Sequence, residues 1–253
     1  MSFNFSTSLN YDLYRFAKID STNGHLMKLA DQGFPEGTVV VADEQFAGRG
    51  RFGRRWESEP LSNLLFSLLL RPVFLERDEI FILTFSAAVA VAEALEEVAH
   101  VKPELKWPND VLIGGKKICG TLLETNFEND TLRYVVLGIG LNVNQKVFPP
   151  ELNTKATSIA AVKGKEFDRD EILSAILNRF GKIYDSLRQR NFYEIMKRWR
   201  EKTAMIGRNV RVDMAGRIFD GICDDVTDYG AIVIKTVEGL KEFTAGEITL
   251  MEG

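Results

Sequence analysis

The stretch 48-GRGRFGRRW-56 carries glycines at 48, 50 and 53 in the spacing G-x-G-x-x-G, with four arginines among its nine residues. On glycine spacing alone it would place the chain among dinucleotide-binding folds. There the turn joins a strand to a helix, and an acidic residue follows about 20 positions on. Neither condition is met: Trp56, Pro60 and the apolar run 64-LLFSLLL-70 follow, and position 73 is a valine. A protein-kinase loop would need the HRD and DFG tripeptides, and neither occurs. The segment 115-GKKICGT-121 has phosphate-loop spacing but no lysine after Gly120.

What remains is the physics of the loop itself. Glycine removes the Cβ that would keep backbone N–H groups away from a ligand, and Arg49, Arg51, Arg54 and Arg55 offer planar paired donors for carboxylate or phosphate. A solvated basic loop is the ordinary fate of a charge run. Here the glycines make ordering costly unless an anion neutralises the arginines, so the expected ligand is a small anion.

The rest of the composition narrows the class. With 32 Lys+Arg against 36 Asp+Glu, the net charge of −4 argues against bulk nucleic-acid binding. The N-terminus has no basic segment followed by an apolar core, and 80-IFILTFSAAVAVAEAL-95 is too short and too interrupted to span a bilayer, so no membrane association is expected. Two cysteines, Cys119 and Cys223, fit a reducing cytoplasm, and two histidines are too few for a histidine-rich metal site.

Along the chain, 20-DSTNGHLMKLADQG-33 reads as a short capped helix. Residues 38–41 and 64–70 read as strands, and 77–99 as a buried helix. From 105 to 144 the pattern is a meander turning at Gly114-Gly115 and Asn129-Asp130. A helix begins near Asp168 and another spans about 192–203. After Gly207 short alternating runs suggest a small antiparallel barrel, so the chain divides into 1–205 and 206–253. Helices and strands are thus mixed through the first part, with that barrel after them.

Two further constellations bear on the anion. In 137-LGIGLNVN-144 the odd positions are apolar, while Gly138, Gly140, Asn142 and Asn144 share the other face. That face is either a ligand-facing floor or a half-exposed strand whose glycines mark a bulge. In 106-KWPND-110, Pro108 holds Trp107 extended and presents Asn109 and Asp110 at a strand end, with Lys117 returning across the glycine hairpin.

Together, 48-GRGRFGRRW-56, 106-KWPNDV-111, 116-KKICGTLLE-124, 138-GIGLNVN-144 and 244-TAGEITL-250 strongly resemble the biotin protein ligases, in order from about Ile19 onward. The resemblance implies an α+β fold, a mixed sheet with flanking helices in a class II synthetase-like biotin/lipoate ligase catalytic domain, with an SH3-like C-terminal barrel. It implies a two-step reaction in which biotin and MgATP give biotinoyl-AMP, from which biotin passes to a lysine of a biotin carboxyl carrier protein or carboxylase domain. It further implies biotin contacts at Ser21, Thr22, Asn23, Gln45, Arg49, Gly50, Arg51 and Lys117, and ATP contacts at Arg49, Arg51, Arg54, Trp56, Asn109 and Asn142. Lys117, Arg51 and Asp110 carry the chemistry in this reading, with Asp110 orienting or deprotonating the incoming lysine. Magnesium is expected with the ATP.

Some family members carry an N-terminal winged helix. Here the biotin-contacting segment begins by Ser21, so a ligase without DNA-binding activity is expected, and analogy points to a homodimer through the sheet edge. The alternatives are a lipoate or octanoate ligase or acyltransferase of the same fold, for which Cys119 beside Lys117 is the candidate nucleophile, and a non-catalytic anion-binding module.

Overall fold

The computed structural model describes residues 7–251. Its first half is built on strands β1 (Asp12–Ile19), β2 (Thr38–Gln45), β3 (Leu64–Leu70), β4 (Glu104–Lys106), β5 (Asp110–Ile113), β6 (Lys116–Glu128) and β7 (Thr131–Leu141). These form one sheet in the order β1-β2-β3-β7-β6-β5-β4. Helix α1 (Thr22–Asp31) joins β1 to β2, which run parallel; the other pairs are antiparallel.

Central strand β3 reads as an unbroken apolar run because both of its faces are covered. Leu64, Phe66, Leu68 and Leu70 face helix α2 (Ile82–Ala99) with Val39, Val41, Val135, Leu137 and Ile139. Leu69 faces the other way, joining Val40, Ala42, Val136 and Tyr134 beneath Leu26 and Ala30 of α1. The second core is the smaller, and on its face of the sheet β7 goes on from Tyr134 and Val136 to Gly138 and Gly140. The side chains stop there and the site begins.

Helix α2 is buried on every side over its first 11 residues, because α4 (Arg169–Arg188) and α5 (Phe192–Lys202) form a further layer outside it. A short α3 (Ile159–Lys163) precedes α4. Asp168 caps α4 by accepting from the Asp170 N–H, worth about 1 kcal/mol. The expected helix over 77–99 starts only at Ile82: residues 77–81 form turns, with Arg190 fastened to the Glu79 carboxylate at 2.5 Å.

Strands β8 (Asn209–Met214), β9 (Arg217–Val226), β10 (Ile232–Thr236), β11 (Gly239–Phe243) and β12 (Glu247–Leu250) make an antiparallel sheet in the order β11-β10-β9-β8-β12. Its apolar side chains, among them Val210, Val212, Cys223, Ile232, Ile234 and Ile248, join the main core. The β9–β10 turn docks where the Trp107 Nε1–H donates to Gly230 O at 2.9 Å. Gly230 has φ +84°, and a Cβ there would lie 2.3 Å from the Phe85 ring, so only glycine permits this approach.

Candidate active site

The glycines of β7 settle the open question about their face. Both lie in regular register, Gly138 between Ser67 and Leu122 and Gly140 between Leu65 and Gly120, while the bulge of this strand pair falls at Asn126/Phe127. Their bareness serves close approach. A Cβ on Gly138 would lie 2.1 Å from Asn23 Oδ1, one on Gly140 2.6 Å from Trp56 Cε2, and one on Gly120 3.0 Å from both Trp56 and Lys117. Successive same-face positions of a strand are about 7 Å apart, so one strand seats a carboxamide and an indole side by side.

The carboxamide end is a polar wall. Ser21 caps α1, its Oγ accepting from the Gly24 N–H, which holds the three residues that follow at the helix start. The Thr22 N–H donates to Gln45 Oε1 at 2.7 Å. Ser67 Oγ lies 2.7 Å from Thr22 Oγ1 and 2.5 Å from Asn23 Oδ1. Asn23 Nδ2 donates to Glu124 Oε2 at 2.7 Å. Ser67 and Glu124 are absent from the sequence-based site. Their signals were slight: Ser67 is the lone polar residue of 64-LLFSLLL-70, and Glu124 ends 116-KKICGTLLE-124.

Between the two ends runs the arginine loop, folded as a small hairpin. Arg49 bridges Arg55, and the Gly50 N–H donates to Arg54 O at 2.7 Å. Phe52 at φ +57° and Gly53 at φ +72° turn its tip. The arginines do not point one way. The Arg49 guanidinium donates to Glu124 Oε2 at 3.0 Å. Arg51 donates to Asn109 Oδ1 and to Gly246 O, both at 3.2 Å, and Arg54 lies 2.5 Å from the Glu247 carboxylate. Burial pushes the Arg51 guanidinium pKa down, against the pull of Asp110 and Glu247.

Lys117 reaches this groove because of a bulge. Val111 pairs with Cys119 but Leu112 with Lys117, which inserts Ile118 as an extra residue in β6. Parity reverses, so Lys117 shares a face with Gly120 while Cys119 turns into the core. Lys117 Nζ then lies 2.6 Å from Asp110 Oδ1 and 5.5 Å from the Trp56 ring centre. The contact with Asp110 is one of charge, since it lacks the direction of a hydrogen bond and leaves that oxygen without one. Lys106, opposite Asp110 on β4, is a further half-buried cation whose pKa burial lowers.

Asn142 lies just past the end of β7, whose ladder stops at Leu141 rather than at Asn144. Its N–H donates to Ile118 O at 2.8 Å and its Nδ2 to Thr157 O at 3.0 Å. Five buried side-chain polar atoms lack a hydrogen-bond partner among the described residues, and three of them are Trp56 Nε1, Asp110 Oδ1 and Asn142 Oδ1. Unmet polar atoms are costly inside a fold, which makes Trp56 Nε1 and Asn142 Oδ1 candidates for contact with a polar ligand, while Asp110 Oδ1 is already paired in charge with Lys117. Cys119, by contrast, is fully buried, and burial raises its thiol pKa far above neutrality. It is no nucleophile in this fold.

The description Biotin/lipoate A/B protein ligase family matches residues 15–142, and Biotin protein ligase C terminal domain matches residues 205–251. The Bifunctional ligase/repressor BirA of Bacillus subtilis is 40% identical over 235 residues, covering 92% of this chain and 72% of the relative. The Biotin--[acetyl-CoA-carboxylase] ligase of Paracoccus denitrificans is 32% identical over 239 residues, covering 92% and 98%. The biotin protein ligase from Aquifex aeolicus, solved in complex with biotin and ATP, superposes with a TM-score of 0.84 at 33% identity, covering 96% of this chain and 99% of that one.

Proposed function

Because this chain belongs to the biotin/lipoate A/B protein ligase family, we propose that the groove over Gly138, Gly140 and Gly120 activates biotin with ATP and hands it to a protein lysine. The chain is an ATP-dependent biotin protein ligase. The observation that carries the site assignment is the seating of Asn23 and Trp56 on successive bare positions of β7, with Lys117 beside the indole.

In the first step a biotin carboxylate oxygen attacks the α-phosphorus of ATP. A P–O bond forms, the α–β bridge breaks, and pyrophosphate leaves the α-phosphorus, giving biotinoyl-AMP. Two anions must be brought together, so the site needs cations and alignment rather than a nucleophile of its own. Lys117 and Arg51 stand where that charge develops, and magnesium enters with the nucleotide as MgATP. Trp56 offers a flat wall to adenine, while Asn109 holds Arg51 in place. Ser21, Thr22 and Gln45 form the ring pocket. Arg54 is available to phosphate once it leaves Glu247.

In the second step a neutral lysine amine of a biotin carboxyl carrier protein or carboxylase domain attacks the acyl carbon and AMP departs. Asp110, its Oδ1 free of a directed hydrogen bond, takes the amine proton. The division of the chain at 205/206 accompanies this reading, with the C-terminal sheet lending Gly246 O and Glu247 to the arginine loop.

The test is to incubate the protein with labelled biotin, MgATP and a biotin-acceptor domain and to locate the label. Label on one acceptor lysine, dependent on ATP and accompanied by pyrophosphate, is expected. Label delivered only from lipoate or octanoate would overturn the choice of substrate.

A further inference from the structure

Glu124 takes no part in either step, yet it sits behind the ring pocket with two donors on one oxygen: Asn23 Nδ2 at 2.7 Å and Arg49 at 3.0 Å from Oε2. Its consequence lies in where the protons of the polar wall must go. A carboxylate only accepts, so the Asn23 amide is fixed with Nδ2 toward Glu124 and Oδ1 toward Ser67. The 2.5 Å approach of Ser67 Oγ to that Oδ1 needs a proton between them, and the serine hydroxyl supplies it. Having given its one proton, Ser67 receives one from Thr22 Oγ1, 2.7 Å away. The Thr22 hydroxyl proton is thereby committed, so its 3.1 Å contact with Gln45 Oε1 is secondary. Toward the pocket Thr22 can only accept. Gln45 Oε1 is engaged by the Thr22 N–H, which leaves Gln45 Nε2 as an open donor. One acceptor and one donor side by side complement an N–H next to a C=O, the edge of a cyclic urea.

We propose that Glu124 is the specificity-determining positioning residue of this wall: it sets the direction of the hydrogen bonds running from Thr22 through Ser67 to Asn23, and so selects a cyclic urea over the apolar lipoyl or octanoyl chains. This rests on the biotin ligase reading. It also changes the part given to Arg49 by the family resemblance, since its guanidinium locks Glu124 from behind and leaves the groove to Arg51 and Arg54.

Steady-state kinetics of E124A, E124Q, S67A and the double variant E124A/S67A test it, with thermal melts to confirm folding. Removing Glu124 leaves Asn23 Nδ2 only its long 3.4 Å contact with Leu122 O, too weak to hold the amide, so the amide can turn over and the chain of protons reverse. E124A is expected to raise KM for biotin roughly 30-fold, the range for breaking a hydrogen-bonded polar set in a pocket. KM for ATP and kcat at saturating biotin should stay within about threefold, a split that a general loss of packing would not give. In E124Q the amide oxygen can stand where Oε2 stands and accept from both donors, so KM should return to within about fivefold of the parent. Because Glu124 acts through Ser67, the double variant should be no worse than the more affected single.

Unchanged biotin KM in E124A would overturn the proposal, as would multiplying effects of E124A and S67A. Should E124A not fold, S67A and E124Q carry the same comparison: a biotin KM unmoved by S67A sinks it. A parent that adenylates lipoate and not biotin instead sinks the substrate reading, whatever the Glu124 variants do.

Discussion

Lys117 and Asp110 face each other across the β5–β6 hairpin, Nζ 2.6 Å from Oδ1, which sets a cation and a carboxylate side by side beside Trp56. Lys117→Ala should lower the rate of pyrophosphate release roughly 10²-fold or more, as loss of a cation at developing negative charge does. Asp110→Asn should spare that step and slow transfer to the acceptor. Pre-steady-state measurement of the two half-reactions separates them, and near-normal adenylation by a folded Lys117→Ala would remove the lysine from the mechanism.

Trp56 packs in the notch above Gly120 and Gly140, outside either apolar core. Trp56→Ala should therefore raise KM for ATP about tenfold, in line with loss of a ring stacked on a base. Biotin affinity without nucleotide should change little. Equal damage to both substrates with a marked fall in Tm would show an ordinary packing residue.

Asn142 Oδ1 has no hydrogen-bond partner among the described residues, and the bond from Nδ2 to Thr157 O at 3.0 Å fixes which way that oxygen faces. A fixed acceptor suits the exocyclic amine of adenine and repels the carbonyl that replaces it in guanine or hypoxanthine. Asn142→Ala should narrow the preference for ATP over ITP, and a parent that uses the two nucleotides equally would refute this placement.

Arg51 is held on one side by Asn109 and on the other by Gly246. Arg51→Gly removes a cation from the groove together with the tie to the C-terminal sheet, so the acyl-adenylate should escape sooner than the acceptor consumes it. Free biotinoyl-AMP and labelling of bystander proteins should rise together. A variant that adenylates yet retains the intermediate as tightly as the parent does would deny Arg51 a covering role.

Cys119 is fully buried, and burial raises its thiol pKa, so the protonated form persists through neutral and mildly alkaline pH. Iodoacetamide should leave native activity intact at pH 8, and modification should appear only on unfolding. Rapid inactivation traced to Cys119 would reopen the acyltransferase alternative.

The parts of the fold legible in the sequence were those whose burial is one-sided or total: β3, α1, α4 and the alternating strands after Gly207. Strand β1 was missed because it lies at the sheet edge, where most of its residues are exposed and nothing enforces a period. The start of α2 was misplaced because Ile80 and Phe81 extend its apolar run and the charged residues 77–79 read as a polar first turn. At the site, residue types and glycines announced an anion, and the family resemblance supplied the roles. What no local pattern could supply was pairing across the sheet. The bulge at Ile118 that turns Lys117 inward, the bond from Ser67 to Asn23 and the union of Arg49 with Glu124 each depend on register or on contacts between residues far apart in the chain.

The bare face of β7 inverts the usual map of what a strand tolerates. Its inward residues, Leu137, Ile139 and Leu141, belong to a large core in which one aliphatic side chain can trade shape with a neighbour. Gly138 and Gly140 have nothing to trade, since a single methyl group meets Asn23 at 2.1 Å or the indole at 2.6 Å. A saturation survey of this strand would therefore find its most sensitive positions where no side chain exists, and would outline the ligand's berth from missing atoms before any arginine was changed.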